Sequence, residues 1–177
     1  MVDVRRIVIY GPESTGKTTL ARSLARHFDE PWAPEYVRQF WDDHEGRIAA
    51  PDLEAIGRGQ LEGEKEAERR SRHLAFCDTD LLTCRIWDDL LFPGACPGWV
   101  RREGDIRARG AALYLFCDTD LPFQPDPQRC FPDPKGRAMG RSLWQEVLER
   151  LEVGFVLIRG VGEERFSRAL TAVKSLL

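Results

Sequence analysis

The stretch that decides the reading is Arg6-Ile7-Val8-Ile9-Tyr10-Gly11-Pro12-Glu13-Ser14-Thr15-Gly16-Lys17-Thr18. After Arg6 it opens on an apolar run without polar alternation, as in a strand covered on both faces. Residues 11–18 then fit G-x-x-x-x-G-K-[ST] in full. Leu20, Leu24 and Phe28 follow at i, i+4 and i+8, the spacing of an amphipathic helix. Strand, glycine loop and helix together are the context in which this motif forms an anion cradle, its backbone N–H groups and helix N-terminus facing phosphate oxygens. Gly11, Glu13, Ser14, Thr15, Gly16, Lys17, Thr18 and Thr19 are therefore read as the binding loop for ATP. Lys17 adds a charge against the β- and γ-phosphates, and the Thr18 hydroxyl is a candidate ligand for Mg2+. A chance glycine-rich turn is the alternative, and the flanking strand and helix argue against it.

Outward from this unit, short apolar runs alternate with helical patterns. Strands are expected at Arg6–Tyr10, weakly near Trp32–Tyr36, then at Leu74–Asp78, Ala111–Asp118 and Gly154–Arg159. Further helices are expected over Asp52–His73, Thr79–Leu91, Arg141–Leu151 and Ser167–Leu176. This alternation predicts an α/β chain with the three-layer P-loop NTPase fold: a mainly parallel five-stranded sheet, helices on both faces and a lid segment. The length predicts a single domain over residues 1–177.

The bulk composition, 42% hydrophobic and 31% charged, is that of a soluble globular protein. A net charge of −3 supplies no basic field, so nucleic acid is not an expected partner. No apolar run approaches the roughly 18–20 residues of a membrane span, and MVDVRRIVIYG lacks the apolar core of a signal peptide. A cytoplasmic protein with no membrane partner is expected. The cysteines at 77, 84, 96, 117 and 130 are odd in number and lack C-x-x-C spacing, so they read as free thiols. The sequence leaves the oligomeric state open.

The hexapeptide FCDTDL occurs twice, at Phe76–Leu81 and at Phe116–Leu121. The residues that follow differ, so the two copies read as two lips of one cleft and not as a duplication. Ligands of such sheets bind beyond the carboxyl ends of the strands, where both copies fall. Asp78 ends the strand expected beside the P-loop strand, where a carboxylate can hold Mg2+. The bland alternative is a helix N-cap. Asp80 either completes the magnesium shell, faces the acceptor hydroxyl, or is itself such a cap. In the second copy, Asp118 and Asp120 are expected to position the lid and not to touch metal.

Pro34-Glu35-Tyr36-Val37-Arg38 follows the first helix. A Glu at the end of the second strand faces the acceptor, where Glu35 can take a hydroxyl proton or bind sugar hydroxyls. Arg38 pairs with it or reaches a phosphate, unless the two are only a surface pair. Trp32, Tyr36, Phe40, Trp41 and Trp87 crowd the acceptor side, and one or two of them are expected against a flat ring. Residues 121–141 are rich in proline and arginine, the composition of a lid whose Arg129 and Arg137 can neutralise a transferring phosphoryl group. A proline-stiffened loop is the alternative there.

GPESTGKTT, PEYVR, GRGQLEGE, FCDTDLLT and DLPFQPDPQR in this order resemble the ribosylnicotinamide kinase domain of the NadR-type family, within the P-loop kinase superfamily. The resemblance runs from Arg6 to about Leu151. It implies ATP-dependent phosphorylation of the 5′-hydroxyl of nicotinamide riboside, giving nicotinamide mononucleotide. By position it implies Glu35, Arg38 and Gln60 near the riboside, Asp78 at the magnesium and Arg129 on the lid. With Tyr36, Asp80 and Trp87, these make up the expected acceptor and catalytic set. The family's bifunctional members carry an adenylyltransferase domain that this chain has no motif for, so a stand-alone kinase is expected. Two alternatives stay open: a kinase of another nucleoside or vitamin alcohol, and a nucleotide-dependent switch without transfer. With no Asn in the chain and no T-K-x-D, a guanine-reading GTPase is disfavoured.

Overall fold

The computed structural model describes residues 4–177; Met1–Asp3, part of the expected single-domain span, lie outside the described residues. Five strands, β1 (Arg5–Tyr10), β2 (Trp32–Ala33), β3 (Leu74–Asp78), β4 (Leu113–Cys117) and β5 (Phe155–Ile158), form one all-parallel sheet in the order β2-β3-β1-β4-β5. Seven helices connect them: α1 (Lys17–Phe28), α2 (Tyr36–Asp43), α3 (Leu53–Arg70), α4 (Leu81–Leu91), α5 (Gly98–Arg109), α6 (Pro134–Arg150) and α7 (Gly162–Lys174). This is the expected P-loop NTPase architecture.

The two-residue period of β1 builds both cores at once. Ile7 and Ile9 pack with Leu20 and Leu24 of α1 and Val173 of α7. Val8 and Tyr10 turn to the other face and pack with Leu82 and Ile86 of α4 and Trp144 and Leu148 of α6. Every one of these residues is buried. Because β1 is the central strand, its carboxyl end is flanked by β3 on one side and β4 on the other, with Ile9 opposite Asp78 and Tyr10 opposite Phe116.

Several sequence-based expectations are corrected. The weak strand near Trp32–Tyr36 stops at Ala33, and Tyr36 begins α2, with Glu35 as its N-cap residue. Helix α6 begins at Pro134, not Arg141, because Asp133 caps it by accepting from Lys135 N and Gly136 N. The lid segment is therefore irregular only as far as Asp133. Helix α7 begins at Gly162, ahead of Ser167. Helices α2 and α5 were not expected. The buried face of α5 is Val100, Gly104 and Ala108, helically spaced but too small to make an apolar signal. Gly104 lies against the Leu81 backbone, so the two helices approach closely. Among the described residues no helix is long and apolar enough to cross a membrane.

Candidate active site

The glycine loop closes on itself. Pro12 O accepts from both Thr15 Oγ1 and Lys17 Nζ, each at 2.8 Å. Gly11 sits at φ 137°, and a Cβ there would lie 2.6 Å from Cys117 O, so only glycine lets the loop leave β1 this close to β4. Arg165 of α7, buried behind the loop, donates to Thr15 O at 2.9 Å and Asp118 O at 3.0 Å. Asp120 accepts from Arg165 at 2.8 Å. Sequence reasoning missed Arg165, which resembles any other arginine of a charged helix. Thr19 is exposed and faces a larger hollow of about 720 Å³ between α1 and β2 that includes neither Lys17 nor Asp78.

The two hexapeptides end neighbouring strands of β1 and do different things. Asp78 is 1% exposed, and its Oδ2 accepts from Thr18 Oγ1 at 2.5 Å. Its Oδ1 is buried without a partner. Burial, with the nearby Glu35 charge, pushes the Asp78 carboxyl up to about 6. Asp118 accepts from Arg141 at 2.7 Å and Arg159 at 2.5 Å. Burial would raise its carboxyl, but these two guanidinium groups hold it below the usual range. Asp78 ends β3 beside the P-loop strand, as expected, and the second copy ends β4 on the other side of it. Asp118 does hold Arg141, at the end of the lid segment, whereas Asp120 ties down α7 instead.

Of the readings open for Asp80, the structure takes the helix cap and not the metal or acceptor contact: it is buried and does not line the cavity beyond Lys17. It accepts from Thr83 N at 3.1 Å and from the Tyr114 hydroxyl. The N-cap role suspected for Asp78 thus belongs to the residue two positions on.

Beyond Lys17, a cavity of about 180 Å³ opens between α2, α3, α4 and the lid. Glu35, Arg38, Trp41, Gln60, Thr83, Trp87 and Asp88 are among its walls. Glu35 accepts from Arg38 at 3.2 Å, and Arg38 reaches on to Asp126 of the lid at 3.1 Å. Gln60 is buried, and its Oε1 accepts from Tyr36 N at 3.0 Å, satisfying the first turn of α2. Tyr36 is corrected: it does not line the cavity, and its ring lies where a Cβ on Gly59 would stand. Trp41 and Trp87 are the two crowded aromatics that face the cavity. Trp87 stacks on Phe131 of the lid with 5.8 Å between ring centroids. Thr83 and Asp88 were missed because they share a helix that reads as apolar core.

The lid is drawn down on the glycine loop. The Glu13 carboxylate accepts from Cys130 N at 2.9 Å and Phe131 N at 2.6 Å. Ser14 Oγ accepts from Gln124 N at 2.8 Å and from Arg129 at 3.4 Å. Arg137 donates to Thr119 O and Leu121 O at the lid's base. Both arginines stand over the Phe123 ring, at 5.9 Å for Arg129 and 5.7 Å for Arg137. Glu13 and Ser14, expected at the nucleotide, are thus engaged with lid backbone here.

Comparison with known proteins adds three findings. A family model described as an AAA domain matches residues 6–165. The trifunctional NAD biosynthesis/regulator proteins NadR of Salmonella typhimurium and Escherichia coli are each 26% identical over 98% of this chain. The chain spans 43% of the length of these curated relatives. Among solved structures, NadR protein in complex with NR matches with a TM-score of 0.67 and 22% identity, over 97% of this chain and 51% of that one. Thymidylate kinase from Ehrlichia chaffeensis matches with a TM-score of 0.64 and 14% identity, over 98% of this chain and 99% of that one. At these identities the structures show the shared fold. The NadR-type resemblance seen in the motifs therefore extends along nearly the whole chain.

Proposed function

This chain belongs to the AAA domain family, and we propose that it is a small-molecule kinase transferring the γ-phosphoryl group of ATP to the 5′-hydroxyl of nicotinamide riboside. The observation that carries this reading is one cavity whose wall includes the P-loop lysine, Lys17, a carboxylate, Glu35, and two tryptophans, Trp41 and Trp87. A phosphate donor and a flat aromatic acceptor can meet in such a space.

The glycine loop binds and orients the donor phosphates, and Lys17 offsets their charge. Glu35 stands at the cavity wall, where it can accept the proton of the attacking hydroxyl. Arg38 orients Glu35 and ties it to the lid through Asp126. Trp41 and Trp87 line the cavity, where an indole face would attract a cationic ring. The lid, held by Glu13 and Ser14, excludes water, and its Arg129 reaches the cavity wall, whereas Arg137 in α6 fastens the lid's base.

Thr18 and Asp78 would hold Mg2+. The buried, unpartnered Oδ1 of Asp78 suits a hard cation that keeps its remaining ligands as water and phosphate oxygens. Once bound, it offsets negative charge on the phosphoryl oxygens.

The test is a phosphoryl-transfer screen across nucleosides and vitamin alcohols with Mg2+ and either ATP or GTP. Nicotinamide riboside should give the highest kcat/KM. A higher value for uridine, cytidine or thiamine would reassign the acceptor, and nucleotide binding without any transfer would overturn the kinase reading.

A further inference from the structure

Helix α4 turns one face to the acceptor cavity: Thr83, Cys84, Trp87, Asp88 and Leu91 all line it. Asp88 is out of place in that company. It is 5% exposed, and its neighbours along the wall include Leu53, Ile56, Leu91 and Phe92. A carboxylate buried against such residues is costly unless it is paired. Yet among the described residues it has no ion-pair partner, although arginines are close in sequence and space. Arg101 is taken by Asp89 on the exposed side, and Arg85 by Asp105 at 2.5 Å. The Cys96 thiol is a weak donor beside it, and burial still leaves the Asp88 carboxyl raised to about 6. The remaining open direction is the cavity.

Along α4, Asp88 stands away from the end of the helix that adjoins Asp78 and the glycine loop. It lies seven residues into α4, about 10 Å along the axis from the helix start that follows Asp78 and Thr79. Trp87, its neighbour, lines the same space. A ligand seated there with its reacting hydroxyl toward Lys17 would leave its ring for the stretch of wall that carries Trp87 and Asp88.

We propose that Asp88 sets the specificity for the acceptor ring: its carboxylate accepts from an exocyclic amide N–H on a cationic heteroaromatic ring, and repels a ring bearing a carboxylate at that place. This deepens the reading of the site given above and rests on it. The discrimination has a physical source. A hydrogen bond to a charged acceptor gains affinity, whereas two buried carboxylates repel and leave lone pairs facing each other.

The test compares nicotinamide riboside with nicotinic acid riboside, which differ only in that group. Binding to the full chain is measured by calorimetry without nucleotide, and kcat/KM is measured separately. The wild type should favour the amide by at least about tenfold, the scale of one charged hydrogen bond. Asp88→Asn, which keeps the shape and can donate to a carboxylate, should bring the two ribosides within about threefold, mainly by improving the acid. Asp88→Ser serves as a second variant, and melting curves establish that each is folded. A role for Asp88 in the fold alone would shift the melts but leave the amide-to-acid ratio unchanged, and that result overturns the proposal. If the wild type binds the amide selectively but transfers no phosphoryl group, the kinase reading fails while Asp88 stands. If it phosphorylates the amide and both variants keep its preference, only the Asp88 assignment fails. Binding of neither riboside overturns both.

Discussion

Asp78 and Asp118 occupy equivalent places in identical hexapeptides, and the groups around them decide what each can do. Asp78 meets one hydroxyl and keeps an oxygen free; Asp118 is saturated by two arginines. Asp78→Asn should therefore abolish turnover or sharply raise its Mg2+ requirement, whereas Asp118→Asn should be milder and show mainly as a lower melting temperature. Turnover titrated against Mg2+ for both variants checks this, and equal loss in the two would mean a shared metal role. Glu35→Gln keeps the side chain's shape but cannot take a proton, so kcat should fall by about 10²–10⁴-fold. Single-turnover kinetics with the nucleotide affinity measured alongside separates that loss from weakened binding. Asp88 makes a pH-dependent contribution of determinable sign. Its folded value, about 6, lies above the ordinary carboxyl value of 3.8, so the folded state holds the proton more tightly than the unfolded one. Stability from this group is present at low pH and is lost as pH rises from about 4 through about 6. Asp88→Asn should leave the melt unchanged near pH 4 and raise it above pH 6.5 by a few degrees, on the order of 1–3 kcal/mol. A constant offset across that range would contradict the assignment.

At the scale of elements, the cavity wall depends on how α2 sits on α3. Gly59 leaves room for the Tyr36 ring, which a Cβ would meet at 2.1 Å. One turn later along α3 from Ile56, Gln60 holds the first amide of α2. The two contacts fix the start of the helix that carries Arg38 and Trp41 and is capped by Glu35. Gly59→Ala should push α2 outward and cost about 10–100-fold in kcat/KM for the acceptor, since displacements near 1 Å carry penalties of that size. Nucleotide affinity should stay within about twofold because the glycine loop is borne by β1 and α1. Parallel titrations of acceptor and nucleotide distinguish this from general unfolding.

Over the whole molecule, the phosphate loop is held from the far end of the chain: Arg165 of α7 joins Asp120, Asp118 O and Thr15 O. Arg165 is buried while Asp120 stands at the surface, so removing the guanidinium mainly leaves the buried Thr15 O and Asp118 O without their donor, at about 1–3 kcal/mol each. Arg165→Ala should lower the melting temperature by roughly 6–15 °C and weaken nucleotide binding together with it. Thermal melts with and without nucleotide test the coupling. How much of this was legible beforehand follows from the range of each interaction. The glycine loop, β1 and its two-faced core are local patterns of period two and of fixed loop spacing, so Lys17, Thr18 and the parallel sheet could be read from the residues in order. Helix α5 could not, because its buried face is too small to mark a period. Glu35 reads as a strand end in sequence because a two-residue strand and a following helix cap look alike in a short apolar run. The division of labour between the two FCDTDL copies was decided by Thr18, Arg141, Arg159 and Arg165, which lie 23 to 60 residues away. Asp88 is the clearest case: in sequence it is one acid beside another. Only packing sends Asp89 to solvent and an arginine, and leaves Asp88 buried and facing the cavity, because burial and charge pairing are properties of neighbours in space.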